Sequence, residues 1–190
     1  HDFKFFASVI RPDFWEIHLS YKDLSLPISK YFGEIQHCDL VVHTPELFER
    51  SLLLDLTSPD DDILEASIKC CRKVIEYTKR LREHFTESKR TILVTNVGGY
   101  SADRFLDRAE CEARYSILEK SLRILNDQDV EICPQTMAPY PWHFGGQRFQ
   151  NLFVSSEDVS KWSEYLDLRV CLDISHSYLL CNARGEEFTK

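Results

Sequence analysis

Five short apolar runs punctuate the chain: "FWEIHLS" (14–20), "CDLVVH" (38–43), "TILVTNV" (91–97), "VEICPQ" (130–135) and "LRVCLDI" (168–174). Each is rich in Val, Ile, Leu or Phe and has the length of a buried strand. "DLVV" and "ILV" are continuous rather than alternating, as in parallel strands covered on both faces. Helical patterns lie between the runs. The clearest follows "TSPDDDILEAS", where Ser58 is the expected N-cap, Pro59 suits the first helical position and Asp61 completes a capping-box-like spacing. Leu64, Ile68, Cys71 and Ile75 then recur on one helical face, and the pattern predicts a helix to about Phe85 with Lys79, Arg80 and Arg82 near its negative end. A second helix is predicted over 108–126, with Leu118, Leu122 and Leu125 as its stripe. A third is predicted from Ser155 or Ser156, with Asp158 in its first turn and Val159, Trp162 and Leu166 on one face. Shorter helical segments are expected near 3–10 and 27–36.

Strand and helix therefore alternate, which predicts an α/β fold with a parallel sheet. Spacing alone does not separate an open doubly wound sheet from a barrel. No GxGxxG follows a strand and no GxxxxGK[ST] is present, so neither common nucleotide-binding fingerprint is carried. The 190 residues suffice for one domain with its own core. The net charge of −8 argues against nucleic acid as a partner. Seven cysteines, an odd number with no CxxC pair, read as free thiols of a reducing cytoplasm. No apolar run has the roughly 18 residues of a membrane span, and no signal peptide is visible. The start at His1 without Met, and an end in "GEEFTK", suggest a segment of a longer domain.

Polar residues follow the apolar runs. His43 ends "LVVH", Asn96 ends "LVTN" before Gly98 and Gly99, Gln135 follows "EICP", and Asp173 ends "VCLD" with His176 three residues on. The first run contributes Glu16 and His18, with Lys22 nearby. In a parallel α/β fold these strand ends converge on one face, where sites are built. The plainer role for each is to cap the next helix or satisfy a loop. Asp173 with His176 is the sharpest pair, because a carboxylate and an imidazole at one strand exit suit a divalent metal or a proton relay.

"VVHTPE", "VTNVGG", "CPQTM" and above all the Asp-x-x-His of "CLDISHSY" give the chain its family likeness. It resembles the xylose isomerase-like barrels, which include sugar and sugar-phosphate isomerases and epimerases and the AP endonuclease family. The resemblance spans essentially the whole chain. It implies a (β/α) barrel of TIM type, partial here, with the second to sixth of eight strands; the first would lie upstream of His1 and the last two beyond Lys190. The open sheet edges then call for additional chain, an unusual pairing or an association partner such as a second copy. Two positions depart from the family pattern: Asn96 stands where a His is usual, and Gln135 where a metal-binding Glu is usual. Gln removes a negative charge and offers one carbonyl oxygen. A two- or three-metal site of the endonuclease type is therefore not expected; one divalent ion (Mn, Mg or Zn), or none, is.

By this reading Asp173, His176 and His43 are the candidate catalytic residues. Asp173, His176 and Gln135 are the candidate metal ligands. Glu16, His18, Asn96, Gln135, Trp142, His143 and Arg148 are candidates for substrate binding. The last three belong to the loop "APYPWHFGGQRFQNLF" (138–153), in which Gly145 and Gly146 could let backbone N–H groups approach an anion and Trp142 could carry a sugar ring. The leading function is an isomerase or epimerase of a sugar or sugar phosphate, acting by metal-assisted proton transfer. The alternatives are a sugar-binding or regulatory barrel that has lost the chemistry and, behind it, an AP endonuclease.

Overall fold

A computed structural model describes residues 3–32, 35–86, 90–140 and 148–188. Among these the order is α1 (Phe3–Val9), β1 (Phe14–His18), α2 (Ile28–Tyr31), β2 (Asp39–His43), α3 (Asp61–Arg82), β3 (Thr91–Thr95), β4 (Tyr100–Ser101), α4 (Arg108–Leu125), β5 (Val130–Pro134), β6 (Phe149–Gln150), α5 (Ser156–Leu166) and α6 (Ile174–Arg184). Strands β1, β2, β3 and β5 form one parallel sheet in that spatial order. The sheet is open, with sequential strands side by side, as in an arc of a barrel wall.

The continuous apolar runs form these strands because one face must be dry. Leu40 and Val42 of β2, Leu93 of β3 and Val130 and Ile132 of β5 are buried. They join one core with Cys71, Val74, Ile75 and Leu81 of α3 and Tyr115, Leu118 and Leu125 of α4. Full burial of each Val, Leu or Ile contributes roughly 1.5–3 kcal/mol. The predicted stripes of α3 and α4 are the faces that enter this core. Side chains alternate across a strand, so Glu16, His18 and His43 lie on the other face.

Four of the five predicted runs are strands; the fifth, "LRVCLDI", is not. Only Cys171 bridges, opposite Gln135, with its N–H donating to the Pro134 carbonyl (2.8 Å) and its own carbonyl accepting from Thr136 (2.9 Å). A longer parallel ladder would need the residue at 134 to donate to the carbonyl of Arg169. Pro134 has no N–H, and the pairing stops.

The helix starts also differ in detail. Asp60, not Ser58, caps α3, accepting from the N–H groups of Asp62 and Ile63. Ser58 Oγ instead accepts from Asp60 N–H at 3.1 Å and shapes the turn before it. The helix ends at Arg82 rather than Phe85. Asp107 and Glu110 form a full capping box on α4, and Ser155 caps α5 through Asp158 N–H. Helix α6 has no counterpart among the predicted elements.

Strands β4 and β6 pair antiparallel, Tyr100 opposite Gln150. They tie the loop after β3 to the loop after β5. Gln150 Nε2 donates to the Gly98 carbonyl (2.6 Å), and Asn151 Nδ2 donates to that of Gly99 (2.8 Å). The returning chain is fixed at Phe153, whose φ is +54° and whose N–H reaches both Tyr115 Oη (2.9 Å) and Asp158 Oδ2 (3.0 Å). That left-handed backbone is costly for a non-glycine residue and persists because these bonds hold it.

Candidate functional site

The register of the sheet assembles the site. His18 is directly opposite His43, His43 opposite Val94, and Val94 opposite Cys133. Gln135 continues the Cys133 side of its strand and faces Cys171, and Asp173 continues the side of Cys171. The residues at the ends of β1, β2, β5 and the segment at Cys171 thus meet at the C-terminal edge of one sheet face.

Their side chains form a connected row. The His18 and His43 rings stack, with centroids 4.5 Å apart and planes inclined by 12°. His43 Nε2 lies 2.8 Å from Gln135 Oε1, and Gln135 Nε2 donates to Asp173 Oδ2 over 2.8 Å. A carboxylate only accepts hydrogen bonds, so the amide must turn its N–H towards Asp173. Its oxygen then takes the proton of His43 Nε2. His43 Nδ1 lies 3.1 Å from the Thr44 carbonyl. At the outer end of the row, His18 Nε2 is 3.0 Å from Glu16 Oε1.

Asp173 has two tasks. Its Oδ1 accepts from the His176 backbone N–H (3.0 Å) as N-cap of α6, while Oδ2 faces Gln135. Thr136 accounts for the rest of this corner. Its hydroxyl accepts from Asp173 N–H at 2.8 Å, and its carbonyl accepts from His176 Nδ1 at 2.6 Å. His176 Nε2 lies 3.6 Å from Asp173 Oδ2. Thr136 was missed in the sequence; its only signal is its place directly after Gln135.

Asn96 is drawn away from this row. Its Nδ2 donates to the Tyr100 hydroxyl (2.5 Å), and its Oδ1 accepts from Gly98 N–H (3.0 Å). Asn96 and Tyr100 are buried. Burial raises the Tyr100 phenol well above its ordinary range; the charges of Glu46 and Asp55 act the same way and that of Arg148 opposes them. Arg148 is exposed, and its charge reaches Tyr100. Trp142, His143, Gly145 and Gly146 lie outside the described residues.

The loops after β2 and β3 are joined by buried Asp55. Its Oδ1 accepts from the Thr57 hydroxyl (2.6 Å) and from the N–H groups of Thr57 (3.0 Å) and Gly99 (3.1 Å). Desolvation nevertheless raises its pKa, against these bonds and the nearby Arg114. Gly98, at φ +96°, is where this junction demands glycine. A Cβ there would lie 2.1 Å from Asp55 Oδ1.

A hard divalent ion needs several acceptor atoms aimed at one point. Here Gln135 presents N–H to the Asp173 carboxylate and its only oxygen to His43. Among the described residues no group of three or more His, Cys, Asp or Glu side chains is gathered for a metal. The residues as arranged do not fit the ion that the fold family implies.

Seven free cysteines are distributed over the chain. Among the described residues no helix is long and apolar enough to cross a membrane. No curated protein matches the chain. The family model described as "Xylose isomerase-like TIM barrel" matches residues 13–190. With four parallel strands in barrel-wall order and a polar row at their C-terminal edge, the chain belongs to the xylose isomerase-like TIM barrel family.

Proposed function

We propose that the chain acts on a sugar or sugar phosphate at the C-terminal edge of its sheet, as an isomerase or epimerase that moves a proton without a divalent metal. The observation that carries this reading is the row Glu16, His18, His43, Gln135, Asp173, which sets two imidazoles and two carboxylates along one open face. Such groups recognise hydroxyls by donating and accepting hydrogen bonds. A carboxylate and a neutral imidazole suffice for proton transfer next to a sugar carbonyl, with no metal ion. Arg148 offers a cation to a phosphate group. The net charge of −8 disfavours a polyanionic DNA substrate.

A second reading, a sugar-binding domain without chemistry, is favoured by one observation. Asn96 and Asp173 are both held in bonds that shape a turn and cap a helix. Incubating the protein with aldoses, ketoses and their phosphates, in EDTA and separately in Mn²⁺, and following the sugars by NMR, separates the two. Interconversion in EDTA is expected. Binding without interconversion supports the second reading, activity that appears only with Mn²⁺ overturns the metal-free mechanism, and no binding at all overturns both readings.

A further inference from the structure

Glu16 and His18 stand two residues apart on β1, and so on one face of the sheet. Their contact, 3.0 Å from Oε1 to Nε2, is not part of the ladder, which is made by backbone groups, nor of the core, which lies on the opposite face. The carboxylate accepts the Nε2 proton, so the neutral ring of His18 carries its lone pair on Nδ1. The His43 ring lies flat against it at 4.5 Å and is itself held by Gln135. An imidazole whose tautomer is fixed by a carboxylate and whose plane is fixed by a neighbour is arranged to accept a proton. Asp173 is less suited, because each of its oxygens already accepts a hydrogen bond, from His176 N–H and from Gln135.

We infer that His18 is the proton-transfer residue of the sugar site, with Glu16 and His43 as its positioning residues; this rests on the sugar reading above. His18 Nδ1 takes the proton from the carbon next to the sugar carbonyl. The C–H electron pair becomes the second bond of an enediolate, and the carbonyl π pair moves to oxygen. Return of the proton to the neighbouring carbon, with the hydroxyl proton passing from one oxygen to the other, gives the isomer. Nothing is oxidised or reduced overall, and no co-reactant is consumed.

The test is solvent-deuterium incorporation into D-fructose, D-xylulose and D-fructose 6-phosphate in D₂O with EDTA, read by proton NMR beside a calorimetric Kd for each sugar. Wild-type protein exchanges the proton next to the carbonyl of any sugar that it binds. His18→Gln lowers the exchange rate by roughly 100-fold or more, with Kd changed less than about threefold. Glu16→Gln lowers the rate by a larger factor than it weakens Kd, and Glu16→Asp recovers part of the rate. The His18 side chain is 69% exposed, so its substitution leaves the core intact. Exchange that survives in His18→Gln overturns the inference and leaves the isomerase reading standing. A sugar that binds without exchange overturns both of these and leaves a binding domain. No binding by any of the three overturns the sugar reading itself.

Discussion

Gln135 Nε2 donates to Asp173 Oδ2 over 2.8 Å, and this bond decides what the neighbouring side chains can hold. It places a proton where a cation would have to sit. Gln135→Glu removes that proton and adds a negative charge beside Asp173. The variant is expected to bind Mn²⁺ at least about tenfold more tightly than the wild type, because charge count tunes affinity for hard cations. Calorimetric titration measures this directly, and equal affinities would show that the amide is not what prevents binding.

Asp173 is also a helix cap, and that task has its own signature. Asp173→Ala removes the acceptor for His176 N–H and should lower stability by about 1 kcal/mol, within the range of lost N-caps. Asp173→Asn keeps an acceptor and should stay within a few tenths of wild type. Urea denaturation of the two variants separates capping from charge.

Gly98 lies where the loops after β2 and β3 meet at Asp55. Its φ of +96° is strained for any L side chain, and a Cβ would fall 2.6 Å from the Asp55 backbone. Gly98→Ala is expected to lose at least about 1–3 kcal/mol, from backbone strain alone. A denaturant midpoint close to wild type would contradict the described loop geometry.

The cap of α4 gives a prediction in pH. The Arg104 side chain, and then the Asp107 N–H, hold the Glu110 carboxyl down to about 2. The folded value lies below the unfolded one. The stabilisation is therefore fully present above the ordinary glutamate range and is lost as pH falls through about 2. Arg104→Ala should move the Glu110 midpoint upward, as followed by carbon NMR of its carboxyl.

Much of this architecture was legible in the apolar runs, because a buried parallel strand requires them. The four true strands and the faces of α3 and α4 follow from that requirement. The fifth run misled because Pro134, on the neighbouring strand, cannot donate to it, and apolar content does not reveal a partner's missing N–H. Helix α6 was hidden because Ile174, Tyr178 and Leu179 are exposed and give no apolar stripe towards the core. Its caps were readable: Asp173 three residues before His176, and Gly185 in the left-handed conformation at its end. At the site, the convergence of His43, Gln135 and Asp173 was visible as polar residues after apolar runs. The stacking of His18 on His43 was not, since it depends on the register between β1 and β2. Asn96 looked like a pocket residue, but the turn at Gly98 and the buried Tyr100 hydroxyl engage both ends of its amide.

A sugar that uses this site should bind along the row from His18 to Asp173 without a metal. Titration of isotope-labelled protein with D-fructose 6-phosphate and its unphosphorylated parent in EDTA, read as chemical-shift changes, tests it most directly. The ring signals of His18 and His43 and the side-chain amide of Gln135 are expected to shift together, saturating with one Kd. Shifts confined to other parts of the chain, or a response of this row only after Mn²⁺ is added, would contradict it.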